Sequence, residues 1–341
     1  MGRHIGVDLH RNRFTVCTRA NGRNYLSTWP LKKLNGFCGR LRRDDVVAVE
    51  VTGNTRLFVD AVRPHVKRVV VVNPQQFKVV SSSVNKTDDN DARRLAFFLE
   101  KEMLPEVRMK DQEHAELASV AQTRDKLVKL RTALKNKINN ILSAHGIEVK
   151  KESLSSDKGL QAVLGMMLGG VVDVELRVLV EQIRSLNKSI AELEQTLKHQ
   201  GPGLPGFENL KSIKGIGDTG AGILLSVIGD VNDFADEGKL ASYFGIVPRV
   251  CNSNETERSG RITKRGSKLG RTTLVQCALI AMRYSAYLRA HYERIKARRG
   301  TGKAIIALAR KFLNIIYLTL KENLIWEDFA NGVVRDAEAP A

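Results

Sequence analysis

The chain predicts an α/β sheet domain followed by all-α segments, and three observations carry that reading. Runs of β-branched residues alternate with helical patterns over the first hundred residues. Apolar residues then recur in a heptad seam, and beyond residue 206 the pattern becomes helical, broken by loops and strongly basic. The 341 residues, 43% of them hydrophobic, suffice to bury two cores of ordinary domain size, which excludes a wholly disordered or collagen-like molecule.

The elements follow in order. Ile5, Val7 and Leu9 alternate with Gly6, Asp8 and His10, the period of a strand. Phe14-Thr15-Val16-Cys17-Thr18 comes after a short basic turn, so the first two strands read as a hairpin. Val46-Val47-Ala48-Val49-Glu50-Val51 and Val69-Val70-Val71-Val72 are continuous runs suited to parallel strands buried on both faces. Helical patterns fit at roughly 55–64 and 88–102, completing a sheet domain over residues 1–108. Leu176, Leu179, Ile183, Leu186, Ile190, Leu193 and Leu197 form a heptad seam, with a looser one through 113–145. Together they predict a helical coiled-coil hairpin over 109–200, packed on itself or on a second subunit, with 146–171 as its connection. Residues 201–333 predict a helical domain, and 334–341 a tail. Within that domain Lys214-Gly215-Ile216-Gly217 has the form of a helix-hairpin-helix turn, whose glycines leave N–H groups at a helix start where a phosphate can sit. A plain tight turn explains the same residues.

Charge narrows the function. Lys and Arg number 55 against 37 Asp and Glu, a formal charge of +18, and residues 251–315 alone hold 15 cations against three acids. A basic block of that density among apolar residues points to a polyanion, nucleic acid ahead of an anionic membrane surface; a solvated basic face is the plainer alternative. Cys17, Cys38, Cys251 and Cys277 are too widely spaced for a zinc ribbon or a disulfide framework and read as reduced thiols. The N-terminus enters a strand pattern at once, and no uncharged apolar run reaches 18 residues, so the expectation is a cytoplasmic chain with no membrane span.

Four acids stand out. Asp8 lies on a strand among apolar neighbours and Glu50 ends another, positions costly for a carboxylate unless it is paired, solvated or bound to metal. Asp88 and Asp91 are spaced to share one helix face, whereas Asp89 points elsewhere. Converging at the sheet edge, the four could hold two Mg²⁺ ions for phosphodiester chemistry. Taken singly, Asp88 could instead cap its helix and Glu50 could face water.

These residues resemble a known family. Ile5-Gly6-Val7-Asp8, Glu50 and the run from Lys86-Thr87-Asp88 through Asp91-Ala92 to Leu95-Ala96 look like the DEDD signature of insertion-sequence transposases with a RuvC-like N-terminal domain. That group includes the Piv-type DNA invertases and the bridge-RNA-guided recombinases. Gly215-Ile216-Gly217, Phe244-Gly245-Ile246-Val247-Pro248-Arg249 and Arg261-Ile262-Thr263-Lys264-Arg265-Gly266 look like its C-terminal transposase domain. The resemblance runs over nearly the whole chain, in order. It implies metal binding by Asp8, Glu50, Asp88 and Asp91, and a nucleophilic serine five residues beyond the Pro of Gly-x-x-Pro, here Ser253. Asn254 stands where the family has Gly, and Ser259, the rival serine, falls at a variable position of the pattern.

The resemblance further implies double-stranded donor and target DNA as substrate, a noncoding bridge RNA as guide, and a homodimer that pairs to a tetramer. Arg249, Arg258 and Arg261 could hold the scissile phosphate. With Lys214, Gly215, Gly217, Lys264, Arg265, Lys268 and Arg271 they make up the expected nucleic-acid contacts. A metal-dependent junction-resolving nuclease, which needs the acids but no serine, is one rival; a non-catalytic basic nucleic-acid-binding protein is another.

Overall fold

The computed structural model describes residues 2–74, 76–77, 87–150, 152–253 and 256–325, the side chains of 250–259 excepted; the expected tail at 334–341 lies outside the described residues. Two compact units form, one ending at Met109 and the other beginning at Lys110.

In chain order the first unit contains β1 (His4–Leu9), β2 (Arg13–Ala20), β3 (Arg23–Pro30), α1 (Leu34–Cys38), β4 (Val46–Glu50), α2 (Thr55–Val62), β5 (Arg68–Val72) and α3 (Asp88–Glu100). The five strands form one sheet in the order β3-β2-β1-β4-β5. The first three are antiparallel, and β4 and β5 run parallel to β1. The α/β reading therefore holds, with β3 and α1 as additions. β3 is an edge strand with most of its residues exposed, so it has no buried face to impress a hydrophobic alternation on the sequence. Its one legible signal is Asn21-Gly22, both at positive φ, the turn chemistry of a tight hairpin.

The two faces of the sheet differ. Ile5, Val7, Leu9, Val47 and Val49 pack beneath α1 and α2, where Phe14 meets Phe37 and Phe58 edge-on at centroid distances of 5.2 and 5.4 Å. Phe14 and Phe58 are wholly buried, each contributing about 2–3 kcal/mol by removal from water. Alternation sends Gly6, Asp8 and Ala48 to the other face. There α3 lies down through Ala92, Leu95, Ala96 and Leu99.

In the second unit α4 (Gln112–Ala144) and α6 (Gly170–Gln200) run antiparallel, with Arg124 against Glu194 and Lys137 against Glu175. The buried residues of α6 are Leu176, Val180, Ile183, Ile190 and Leu197, so the seam departs from the expected heptad at Leu179, Leu186 and Leu193, which are half-buried. At Leu186 and Leu193 polar reach across the pair accompanies the departure. Arg131 donates to Asn187 at 2.8 Å and Arg124 to Glu194 at 2.9 Å, drawing Asn187 and Glu194 toward the seam. The 146–171 connection holds a helix of its own, α5 (Asp157–Leu164), capped by Ser156 and seated by Leu160 and Val163.

The remaining elements are α7 (Phe207–Ser212), α8 (Asp218–Ile228), α9 (Glu237–Phe244), β6 (Pro248–Ser253), β7 (Thr256–Ile262), α10 (Lys268–Tyr284), α11 (Ala286–Arg299) and α12 (Thr301–Lys321). Their core gathers around α12, whose Leu308, Phe312, Leu313 and Ile316 are completely buried, and it takes in Leu117, Ala121 and Leu197 from the long helices. The expectation of helices and loops is corrected at one place. Pro248–Ser253 and Thr256–Ile262 form an antiparallel ribbon, not a loop. The sequence hides it because the two segments have almost no apolar alternation and are joined through backbone pairing.

Candidate functional site

The sheet register brings two of the acids side by side. β1 and β4 pair Val7 with Val49, so Asp8 and Glu50, one residue further on, stand at the carboxyl ends of neighbouring parallel strands on the face that α3 covers. Both are half-buried. α3 begins at the same edge. Thr87, not Asp88, is its N-cap, accepting the Asn90 N–H at 3.3 Å, which leaves the Asp88 carboxylate to other partners. Gly6 makes the approach possible: a Cβ there would run into the Ala92 carbonyl and the Ala96 amide and lie 2.8 Å from Leu95 Cβ.

The resulting cluster centres on a residue outside the expected set. His10 Nε2 lies 3.2 Å from Asp8 Oδ2 and 3.2 Å from Asp88 Oδ1. Arg13 donates to the other oxygen of Asp88, Oδ2, at 2.9 Å. One donor atom from each of Asp8, His10 and Asp88 falls within 4.8 Å of the others, the group among the described residues with the spacing to hold a metal ion. Glu50 and Asp91 stand outside that group. Asp91 lies 3.8 Å from Arg94, and its charge still acts on Asp8.

Electrostatics separate the two central carboxyls. Burial pushes Asp8 above its ordinary value of 3.8; the charge of His10 opposes this, and the charges of Asp88 and Asp91 add to it. For Asp88 burial also works upward, but hydrogen bonds from Arg13 and His10, together with their charges, hold it below 3.8. Two carboxylate oxygens and an imidazole nitrogen form a donor set that suits a divalent cation, so the residues present fit one. Strand periodicity could have found His10: it follows Asp8 by two and so shares its face. Arg13 carries no comparable signal, because the turn after β1 sets its direction.

In the second unit, glycines bring segments together around the ribbon. Gly245 ends α9 in the left-handed region, and a Cβ on it would lie 2.8 Å from the Arg265 amide nitrogen. Gly266, at φ +134°, passes closer still to the Tyr243 carbonyl, where a Cβ would overlap it. Ser253 is the last residue of β6 and pairs with Thr256 at the closed end of the ribbon, whereas Ser259 sits within the ladder opposite Val250. The Ser253 and Arg258 side chains lie outside the described residues.

Arg249, Arg261, Lys264, Arg265 and Lys268 are exposed around the ribbon and the start of α10. Arg271 differs: its Nη1 donates to the Phe244 and Gly266 carbonyls at 3.0 and 3.1 Å, which ties the base of the ribbon to α10. In the turn between α7 and α8, Lys214 and Gly217 are exposed, while Gly215, at φ +113°, is pressed against the backbone of Ala281. Lys296, Arg298 and Arg299 occupy the last turn of α11, where the helix dipole favours cations without any ligand.

The first unit thus carries an acid cluster at the carboxyl edge of a mixed sheet, and the second carries a two-stranded ribbon bordered by exposed cations. Two family models match in order along the sequence, a DEDD transposase domain of the IS110 type over residues 5–147 and the transposase of the IS116/IS110/IS902 family over residues 207–293. The chain carries the transposase domains of the IS110/IS116/IS902 family. It is 29% identical over 261 residues to the transposase for insertion sequence element IS1111A of Coxiella burnetii, covering 73% of this chain and 70% of that protein. To the pilin gene-inverting protein of Moraxella bovis it is 27% identical over 345 residues, 94% of this chain and 96% of the relative. A probable family 20 transposase of Pseudomonas aeruginosa is 26% identical over 283 residues, with 81% and 83% covered. Among the described residues no helix is long and apolar enough to cross a membrane.

Proposed function

We propose that the chain cuts and rejoins double-stranded DNA through a serine-linked intermediate, with Asp8, Glu50, Asp88 and Asp91 of a RuvC-like domain over residues 1–108 serving as metal ligands. The convergence of Asp8 and Asp88, far apart in sequence, to metal-ligand spacing at one sheet edge carries the reading. Bound there, Mg²⁺, as a pair of ions in this reading, would stabilise charge on the attacking and leaving oxygens of a phosphodiester. Ser253 Oγ attacks phosphorus and loses its proton, a phosphoserine bond forms, and the displaced DNA oxygen departs as a hydroxyl carrying a proton. A hydroxyl of the second DNA strand then attacks that bond and restores the serine. Arg249, Arg258 and Arg261 hold the phosphate while its charge grows.

The helical hairpin over 109–200 serves subunit pairing in this reading, with a dimer that pairs to a tetramer, and the domain over 201–333 carries the serine. The family resemblance supports a bridge RNA that delegates sequence recognition to base pairing, which leaves the protein to make broad backbone contacts through its dispersed cations. The inversion named in the Moraxella relatives and the transposition named in the others are both outcomes of such cutting and rejoining.

The test is an SDS-resistant protein–DNA adduct measured for the unaltered chain, Ser253→Ala and Asp8→Asn. The adduct should disappear with the serine and become scarce with the aspartate. Normal cutting and joining by Ser253→Ala would overturn the serine intermediate, and metal-dependent cutting with no joining by the unaltered chain would favour the junction-resolving nuclease. Sequencing RNA that co-purifies with the protein tests guidance separately, since lack of a discrete RNA overturns the guide and leaves the transposase.

A further inference from the structure

We propose that His10 is itself a ligand of the divalent ion, and that its imidazole biases the site toward Mn²⁺ over Mg²⁺. The inference rests on the reading of Asp8 and Asp88 as metal ligands and adds a donor of a different kind. His10 Nε2 stands 3.2 Å from one oxygen of each carboxylate. That is close to the separation of about 3 Å between neighbouring ligand atoms on a six-coordinate ion whose bonds are roughly 2.1 Å long.

The cluster is built to hold this arrangement. The His10 N–H donates to the Arg13 carbonyl at 2.9 Å, and Asn54 Nδ2 donates to the carbonyls of His10 and Arg11 at 3.2 and 3.1 Å, so the backbone beneath the imidazole is fixed from two sides. Arg13 occupies Asp88 Oδ2 and leaves Oδ1 toward His10. Arg13 is thus a positioning residue for Asp88. The His10 side chain is 44% exposed, so an ion on its Nε2 keeps an open side for water or a phosphate oxygen. Carboxylates and water satisfy Mg²⁺, whereas an imidazole nitrogen adds more to a transition ion, and this difference sets the direction of the metal preference.

The full chain loaded with Mn²⁺ without DNA tests the proposal by electron spin-echo envelope modulation. A coordinated imidazole adds nitrogen modulation, which ¹⁵N-histidine labelling should shift and His10→Ala should remove. In parallel titrations His10→Ala should lower Mn²⁺ affinity by at least the roughly 10-fold that loss of a supporting partner costs a metal site, and Mg²⁺ affinity by less. His10→Gln, which keeps polarity and bulk, should show the same loss of nitrogen modulation, and matching thermal melts of the variants separate ligation from misfolding. Mn²⁺ that binds with no imidazole signal, or with one that survives His10→Ala, overturns the proposal and leaves the carboxylate site standing. Mn²⁺ affinity unchanged in the Asp8→Asn, Asp88→Asn double variant overturns the carboxylate reading itself.

Discussion

The two units treat charge in opposite ways. In the first, acids from a strand and a helix are drawn into one cluster and answered there by His10 and Arg13. In the second, the cations around the ribbon stay exposed and spread, and Arg271 is turned inward onto carbonyls. Convergence costs free energy, since burial first and neighbouring like charges second raise Asp8, and it is tolerated where a cation can repay it. Dispersion costs almost nothing and suits a long polyanion, whose phosphates are met one at a time. Close-packed glycines serve both units: Gly6 lets a helix settle on the sheet to gather acids, and Gly245 and Gly266 bring the base of the ribbon against the start of α10.

Backbone approach is the most severe way to break this comparison. Gly6→Ala should cost about 3 kcal/mol or more in urea unfolding, because the added methyl meets helix backbone that cannot move aside. The motif glycines of the second unit should separate in the same assay. Gly215→Ala, strained by its positive φ and by Ala281, should be strongly destabilising, whereas Gly217→Ala, which faces open space, should stay within about 0.5 kcal/mol. Equal costs for the two would mean that the turn is not pressed against α10.

Removing the converged charge comes next. Asp8→Asn should reduce DNA joining by about 100-fold and abolish metal-dependent stabilisation, yet raise the melting temperature of the metal-free chain, since a neutral side chain escapes the cost of burying a charge and, with it, the repulsion from Asp88 and Asp91. A lowered metal-free melting temperature would show that the carboxylate serves the fold. The dispersed cations should respond more gently. Each of Arg261, Lys264, Arg265 and Lys268 that contacts phosphate should, when neutralised, reduce the salt slope of DNA binding by about 1. An unchanged slope would make these residues ordinary surface.

The smallest effect is that of pH. Asp88 is held below 3.8, so its contribution to stability is present above that value and is lost as pH falls through its folded-state pKa. Asp8 is raised and acts in the opposite sense: the folded form holds its proton more tightly, and stability declines as pH rises from 3.8 through the folded-state value. Arg13→Ala should weaken the first dependence and leave the second, as acid titrations of the melting temperature can show.

The sequence revealed the parallel strands and the acids because burial on both faces writes continuous β-branched runs, against which a carboxylate stands out. It did not reveal β3 or the ribbon at 248–262, since an exposed edge and a backbone-paired ribbon need no apolar alternation. His10 was legible in principle from its period with Asp8, but a lone histidine beside a strand carries no mark of its partner. Arg13 was not legible, because its contact with Asp88 depends on where α3 begins.

By itself the sequence determined the α/β start, the long helices, the family motifs and the +18 charge, all properties that adjacent residues or short periods express. Only the tertiary structure decided which groups meet: that Asp8 and Asp88 share a histidine, that Arg13 turns one carboxylate, and that Arg271 faces inward while its basic neighbours face out. The physical reason is distance. Electrostatic and ligand interactions act over a few ångströms, and those separations exist only once Gly6 has let a helix from one part of the chain lie against a strand from another.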